Sequence, residues 1–211
     1  RQASKIRMDA NGGWTVQQAL EVVETLSADG PLDYVEQPCR TVTELAEVRQ
    51  NLMRRGLFVR VAADEAIRKS ADPIAAVKEV TDAGACDVAV LKVPPLGGVD
   101  QLRTVAREVA QRGVSITVSS ALDTAVGLGA GLQAAASLAY VDDDGMLAEP
   151  NAAGLATGTL FECDLADRSI IDGRMHTGAV APEPDRLAEF RVTGERRDWW
   201  LERLGAAYRH L

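Results

Sequence analysis

The chain contains 211 residues, of which 46% are hydrophobic and 26% are charged, and its formal net charge at pH 7 is −8. No apolar run reaches about 18 residues and the polar beginning does not resemble a signal peptide, so we expect a cytoplasmic protein with no membrane partner. The acidic balance argues against a nucleic-acid partner, because phosphate binding needs a basic surface.

Strand-like and helix-like segments alternate along the first 120 residues. The helix-like segments end near four glycines spaced 26, 28 and 29 residues apart: Gly30, Gly56, Gly84 and Gly113. Glycine often closes a helix because it adopts the left-handed conformation without steric cost. Short runs rich in Val, Ile, Phe or Tyr, typical of buried strands, lie at 5–10, 33–38, 57–65, 86–92 and 114–120. A helix at about 123–138, a strand at about 155–162 and a Trp-rich helix at about 195–209 are predicted to follow.

An alternation with a period near 27 residues predicts right-handed βαβ units and a parallel sheet. The regularity of the period favours a closed (β/α) barrel over an open, doubly wound sheet. A full eight-unit barrel takes about 250 residues, and six strands are predicted here, so two further strands are expected upstream of Arg1. We therefore assign residues 1–162 to a partial TIM-type barrel and residues 163–211 to a C-terminal tail.

Each of the first five predicted strands ends on a side chain that an apolar barrel would not favour. These residues are separated by 27, 28, 28 and 27 positions: Asp9, Glu36, Asp64, Lys92 and Ser119. In a parallel barrel all strand carboxyl ends lie on one face. We therefore expect the five side chains to meet in one mouth, although a single acidic residue at a strand end is more often a helix cap or a solvated loop residue.

The three acidic residues of this set predict a metal site. Carboxylates brought together at neutral pH repel one another unless their pKa values rise or a cation neutralises them. Ligation by oxygen alone suits a hard ion, Mg²⁺ or alternatively Mn²⁺, and disfavours zinc. Asp9, Glu36 and Asp64 are the predicted ligands.

Lys92 is the predicted catalytic residue, acting as an acid or base or as a fixed positive charge beside an oxyanion. A divalent metal and an ammonium group together suit proton abstraction next to a carboxylate, because the resulting enediolate carries two negatively charged oxygens. Asn11 and Glu65 are expected to contact the metal ligands without binding the ion themselves, or merely to cap helices. Ser119 and Ser120 lie at the end of the fifth strand and are candidates for the site. A serine after a strand is also an ordinary helix cap, here of the helix that begins near Leu122.

At these positions the sequence resembles a known family. The motifs that carry the resemblance are RMDANGGW at 7–14, DYVEQPC at 33–39, VAADEAIR at 61–68, VLKVPPLGG at 90–98 and SITVSSALDTAVGL at 115–128. Their order and wording resemble the barrel domain of the enolase superfamily, a modified (β/α)7β barrel, and more narrowly the o-succinylbenzoate synthases of high-GC Gram-positive bacteria. The resemblance runs from about Lys5 to Phe161.

The resemblance implies that Asp9, Glu36 and Asp64 bind Mg²⁺ from the third, fourth and fifth barrel strands. It also implies dehydration of 2-succinyl-6-hydroxy-2,4-cyclohexadiene-1-carboxylate, a small carboxylate, to 2-succinylbenzoate in menaquinone biosynthesis. In that family the lysine matching Lys92 lies across the substrate ring and stabilises the enediolate by its charge, with a cation–π contribution. Ser119 and Ser120 would line the substrate pocket.

One motif of the family has no match in this chain. The family's base is a second-strand lysine within a Lys-x-Lys motif some 25 to 30 residues before the position of Asp9, whereas only eight residues precede Asp9 here. Lys5 lies at the opposite end of the strand that carries Asp9 and cannot replace it. We expect the parent protein to be the synthase, with residues 163–211 returning to its capping domain, and the 211-residue chain alone to bind a dication weakly and turn over little.

Two other functions stay open at this stage. An N-acylamino acid racemase of the same superfamily would use the same metal ligands with two opposed lysines. The sequence separates the two activities poorly, because the pocket loops determine specificity and several of them are absent here. A non-catalytic barrel scaffold is the second alternative, although a scaffold has no need of three carboxylates and a lysine at matched strand ends. The oligomeric state does not follow from the sequence.

Overall fold

The centre of the computed structural model, which describes residues 5–138, 140–141, 147–148 and 151–209, is a five-stranded parallel sheet. Its strands stand side by side in chain order: β1 (Ile6–Asp9), β2 (Leu32–Glu36), β3 (Arg60–Ala63), β4 (Val88–Lys92) and β5 (Ser115–Ser119). A parallel sheet whose spatial order follows the chain is the arrangement of successive βα units in a barrel. The sheet is therefore part of a barrel wall, as the repeat predicts.

Helices connect successive strands. The longer ones are α1 (Val16–Asp29), α2 (Val42–Arg54), α4 (Pro73–Asp82), α6 (Val99–Gln111) and α7 (Ala125–Ser137), and two single-turn helices, α3 (Glu65–Arg68) and α5 (Val93–Leu96), follow β3 and β4 directly. Thr15 and Thr41 each open their helix with a reciprocal capping box, which satisfies amide groups that the first turn leaves free. The two short helices were not predicted, because a single turn is too short to produce a helical period.

The two faces of the sheet pack differently. Val35, Val61 and Leu91 point from alternate positions into the main core, which lies between the sheet and its helices. The opposite, inner face carries a separate small cluster of buried apolar residues: Tyr34, Ala62, Val88 and Val90. Because side chains alternate along a strand, this inner face is also the face of Glu36, Asp64 and Lys92.

A charged cluster lies near the amino ends of the first three strands. The Arg7 Nε atom donates to Asp33 Oδ2 at 2.8 Å, and the Arg60 guanidinium donates to Asp33 Oδ1. Burial alone would raise the pKa of the Asp33 carboxyl, but hydrogen bonds and charge from the two arginines hold that pKa below its usual value. The Arg7 guanidinium also lies 4.8 Å from the centre of the Tyr34 ring and donates to the Ala152 carbonyl.

The predicted strand at 155–162 is wrong, because a 3₁₀ helix occupies Ala156–Leu160. The chain instead runs beside β5 slightly earlier, where Gly154 forms a single parallel bridge with Ser119. The Gly154 N–H donates to the Val118 carbonyl at 2.8 Å, and the Gly154 carbonyl accepts from the Ser120 N–H at 3.0 Å. A Cβ atom at Gly154 would lie 2.8 Å from Ser119 Oγ, so any other residue here would displace the Ser119 side chain.

The remainder of the chain consists of short elements. These are β6 (Tyr140–Val141), β7 (Leu147–Ala148), β8 (Ile170–Ile171), β9 (Arg174–Met175), α8 (Pro184–Glu189) and α9 (Gly194–Tyr208). The last of them confirms the predicted Trp-rich helix, and none of its residues is buried. Arg168 ties this part to the barrel wall, donating to the carbonyls of Ala125 and His176 at 2.9 and 2.7 Å. Within the described residues, no helix has the length and apolar character needed to span a membrane.

Candidate active site

The predicted site residues lie at one edge of the sheet. Asp9, Glu36, Lys92 and Ser119 are the last residues of β1, β2, β4 and β5, and Asp64 follows the end of β3. Asp9 stands opposite Glu36 in the register, and Glu36 stands opposite Ala62, two positions before Asp64. The interval of 27 or 28 residues therefore brings these strand ends to the same edge of the sheet.

Asp64 lies at the centre of this edge and is completely buried. The Lys92 ammonium is 2.6 Å from Asp64 Oδ2, and the Arg68 guanidinium donates through Nε to the same oxygen at 3.0 Å. Asp64 Oδ1 lies 2.9 Å from Arg68 Nε, yet it accepts no hydrogen bond from any described residue. A buried carboxylate is costly unless it is paired, and two cations pair this one.

Arg68 is a site residue that the sequence analysis missed. It lies on α3, four residues after Asp64, and contacts both Asp64 and Glu65, the latter through Nη2 at 2.5 Å. The i, i+4 spacing from an acidic residue was the available signal. The Lys92 ammonium lies against Asp64, one of the predicted metal ligands.

The pKa of Glu36 is raised by its burial and by the acidic residues beside it. Burial, followed by the negative charges of Asp9 and Asp64, raises the pKa of the Glu36 carboxyl to about 7, against the lowering effect of Lys92. Asp9 and Asp64 are therefore close enough to Glu36 to disfavour its ionisation. Such repulsion is what a bound cation would relieve.

The two supporting residues take different roles. Asn11 holds Asp9, donating its backbone N–H to Oδ1 at 2.8 Å and its side-chain amide to Oδ2 at 2.7 Å. Glu65 Oε1 accepts from Arg68, whereas Glu65 Oε2 is buried and accepts no hydrogen bond within the described residues. Asp9 itself is exposed, so its carboxylate is accessible from the mouth.

The two serines are both engaged by neighbouring groups. Ser119 Oγ donates to the Gly154 carbonyl at 3.2 Å, and Ser120 Oγ donates to Asp123 Oδ2 at 3.1 Å. Ser120 Oγ also accepts from the Asp123 N–H at 3.0 Å, which is the local turn bonding of an ordinary serine. Contact of either serine with a substrate stays a prediction.

The donor set fits a hard dication in its chemistry. It offers carboxylate oxygens only, which Mg²⁺ prefers, and one of them, Asp64 Oδ1, is buried without a hydrogen bond. The side chains do not form a closed cage: in the described part of the chain, no three Asp, Glu, His or Cys side chains are grouped closely enough to hold an ion. Asp64 is turned toward Lys92 and Arg68, and Asp9 toward Asn11.

The comparison with protein families decides the relationship. The profile described as "Enolase C-terminal domain-like" matches residues 1–169. The chain belongs to this family. The parallel sheet in chain order and the polar strand ends at one edge agree with membership of the enolase C-terminal domain-like family.

Two curated relatives of the chain come from mycobacteria. The chain is 50% identical over 204 residues to the o-succinylbenzoate synthase of Mycobacterium ulcerans and 47% identical to that of Mycobacterium tuberculosis. Each match covers 96% of this chain but 56% of the relative. The chain therefore spans little more than half the length of these curated relatives.

Solved structures support the fold assignment. The muconate lactonizing enzyme from Pseudomonas putida is 21% identical with a TM-score of 0.68, over 88% of this chain and 49% of that protein. The N-succinyl Arg/Lys racemase from Bacillus cereus is 20% identical with a TM-score of 0.69, over 90% of this chain and 48% of that protein. At this level of identity the similarity concerns the architecture of the enolase-type barrel alone.

Proposed function

We propose that this chain is the barrel part of an o-succinylbenzoate synthase, a lyase acting in menaquinone biosynthesis. The reaction removes the proton α to a carboxylate from 2-succinyl-6-hydroxy-2,4-cyclohexadiene-1-carboxylate and expels the ring hydroxyl, so that water leaves and the ring becomes aromatic. The observation that carries the proposal is the identity of 50% over 96% of the chain with a protein of that name.

Asp9, Glu36 and Asp64 would hold Mg²⁺ at the carboxyl edge of β1, β2 and β3. When bound, the ion supplies positive charge that lowers the energy of the enediolate oxygens. The raised pKa of Glu36 supports this role, because burial and the negative charges of Asp9 and Asp64 disfavour its ionised form, which a bound cation would favour. Asp64 Oδ1, which is buried and accepts no hydrogen bond from a described residue, is a further candidate ligand atom. Mn²⁺ has the same ligand preference and would serve as a substitute.

Lys92 would stabilise the enediolate through its fixed positive charge. Its ammonium lies on the inner face of the sheet with its side chain 12% exposed, so it contributes charge where little water competes. The family's proton-abstracting lysine lies in a Lys-x-Lys motif, and the 211 residues contain no such motif. Within this chain, Lys92 therefore orients and neutralises the substrate's developing charge but does not supply the family's base.

The test is a chimera in which the part of the M. tuberculosis relative that precedes its match is joined to this chain. We expect the folded chimera to convert the cyclohexadiene substrate to 2-succinylbenzoate in the presence of Mg²⁺. Lys92→Ala should lower kcat by about 10²- to 10³-fold, the usual effect of removing one stabilising donor. Lys78→Ala, an exposed lysine on α4, is the matched control and should leave kcat unchanged.

Two results would contradict the proposal. A chimera that is folded by circular dichroism yet inactive on the cyclohexadiene would remove the synthase assignment. A chimera that racemises N-succinylamino acids as fast as it dehydrates the cyclohexadiene would replace it with the racemase.

A further inference from the structure

Gln37 is a buried polar residue to which the sequence analysis gave no role. It follows Glu36 directly, has no solvent exposure and adopts a left-handed backbone conformation with φ of 37°. A non-glycine residue rarely adopts this conformation, and a buried amide is costly unless its hydrogen bonds are made. Both features indicate that the surroundings hold this side chain in place.

Both polar atoms of the Gln37 side-chain amide bond to the backbone. Its Oε1 atom accepts from the N–H of Asp64 at 3.1 Å and from the N–H of Ala66 at 3.2 Å. Its Nε2 atom donates to the Cys39 carbonyl at 3.0 Å. The side chain thus bonds the end of β2 to the beginning of α3.

The backbone of Gln37 makes two more connections. Its N–H donates to the Ala62 carbonyl at 2.8 Å, and its carbonyl accepts from the Gly12 N–H at 2.7 Å. Gly12 lies in the loop that follows Asp9 and Asn11. Gln37, which follows the ligand at the end of β2, therefore bonds to both of the other segments that carry predicted ligands.

The bond to Ala66 has a specific consequence for Asp64. Asp64 occupies the N-cap position of α3, and an aspartate there normally accepts through its carboxylate from the N–H two or three positions later. Ala66 is two positions later, and its N–H donates to Gln37, while Asp64 makes no side-chain cap bond to α3. The Asp64 carboxylate is thereby left to face Lys92 and Arg68 on the inner face.

We propose that Gln37 is a positioning residue that caps α3 in place of Asp64 and so makes the Asp64 carboxylate available to a divalent cation. The inference rests on the metal site of the proposed function. Gln37 would fix the orientation of the Asp64 carboxylate without binding the ion itself. Groups that orient metal ligands typically contribute 10- to 100-fold to affinity.

The experiment measures binding of Mn²⁺ to the 211-residue chain by electron paramagnetic resonance of the free ion. Gln37→Met keeps the length of the side chain but removes the acceptor, and we expect its Kd to rise about tenfold or more. Gln37→Glu keeps an acceptor oxygen and should restore most of the affinity. Gln17→Met makes the same change at an exposed position of α1 and should leave Kd unchanged.

If the role of Gln37 is purely structural, Gln37→Met will have a lower unfolding temperature but an unchanged Kd for Mn²⁺, measured at a temperature where the variant is folded. That result would overturn the inference. If Gln37→Met does not fold, Gln37→Asn, which is one methylene shorter, takes its place with the same expected weakening. Failure of the proposed metal site is distinguishable, because the unmodified chain would then bind Mn²⁺ no better than Asp64→Asn, and the inference would fail with it.

Discussion

At the scale of single residues, the acidic side chains at the two ends of the strands differ in their hydrogen bonding and in the direction of their pKa shifts. Near the amino ends, both oxygens of Asp33 are bonded to arginines and the pKa of this carboxyl is lowered. At the carboxyl ends, Asp64 Oδ1 has no hydrogen bond among the described residues and the pKa of Glu36 is raised. The first arrangement favours the folded state, whereas the second stores repulsion that a cation would remove.

Asp33→Asn tests the stabilising cluster. The substitution removes the buried charge between Arg7 and Arg60, and we expect the free energy of unfolding to fall by about 1–3 kcal/mol at pH 7, the usual cost of losing charged hydrogen bonds to partly buried partners. Urea denaturation measures this change. Asp82→Asn, which breaks an exposed pair with Arg112, is the control and should cost less than about 1 kcal/mol.

The effect of Asp33→Asn depends on pH with a definite sign. Because the pKa of Asp33 is lower in the folded chain than its ordinary value of 3.8, its ionised form stabilises the fold above that value. The contribution is lost as the pH falls below about 4, toward the folded-state pKa. The difference in unfolding free energy between the unmodified chain and Asp33→Asn should shrink from pH 5 to pH 3, and a difference that grows instead would contradict the assigned ion pairs.

At the scale of elements, the four glycines that mark helix ends are not equivalent. Gly113, after α6, has a φ of 69°, in the left-handed region, whereas Gly30, after α1, has a φ of 176°, an extended conformation that any residue adopts. No atom lies within 4 Å of a Cβ built at either position. Backbone conformation alone therefore separates the two sites.

Alanine substitution should give effects of opposite sign at these glycines. Gly113→Ala should lower the free energy of unfolding by about 1–2 kcal/mol, the cost of a left-handed alanine. Gly30→Ala should raise it by about 0.4–1 kcal/mol, because alanine restricts the unfolded chain more than glycine does. Urea denaturation of both variants measures the changes, and equal destabilisation at the two positions would show that the φ difference has no energetic meaning.

The sequence predicted those features that repeat along the chain. The interval of 27 or 28 residues was enough to predict the parallel sheet and the common edge of Asp9, Glu36 and Asp64, because period and strand direction determine where strand ends lie. Arg68 and Gln37 were missed, since their roles depend on side-chain contacts between segments that no period encodes. The wrong strand at 155–162 has a related cause: Thr and Phe favour strands locally, but the described residues of this segment form a 3₁₀ helix and the bridge to β5 is made earlier, by Gly154.

At the scale of the whole molecule, the proposed ion would connect parts of the chain that are distant in sequence. Asp9, Glu36 and Asp64 lie at the ends of three separate strands, and these strand ends share one edge only when the sheet has formed. A ligand that binds the folded state and not the unfolded state stabilises the fold by mass action. Thermal stability is therefore a measure of the site that does not require catalysis.

We expect the unfolding temperature of the 211-residue chain to rise with Mg²⁺ concentration. At about 100 times Kd the gain is about 2.7 kcal/mol, which corresponds to roughly 5–10 °C for a chain of this size. Because the net charge of −8 makes any cation mildly favourable, ionic strength is held constant with NaCl. Asp64→Asn should abolish the rise while Asp100→Asn, an exposed aspartate on α6, should retain it. An equal rise in both variants would mean that Mg²⁺ acts on the surface charge and that the three strand ends do not share an ion.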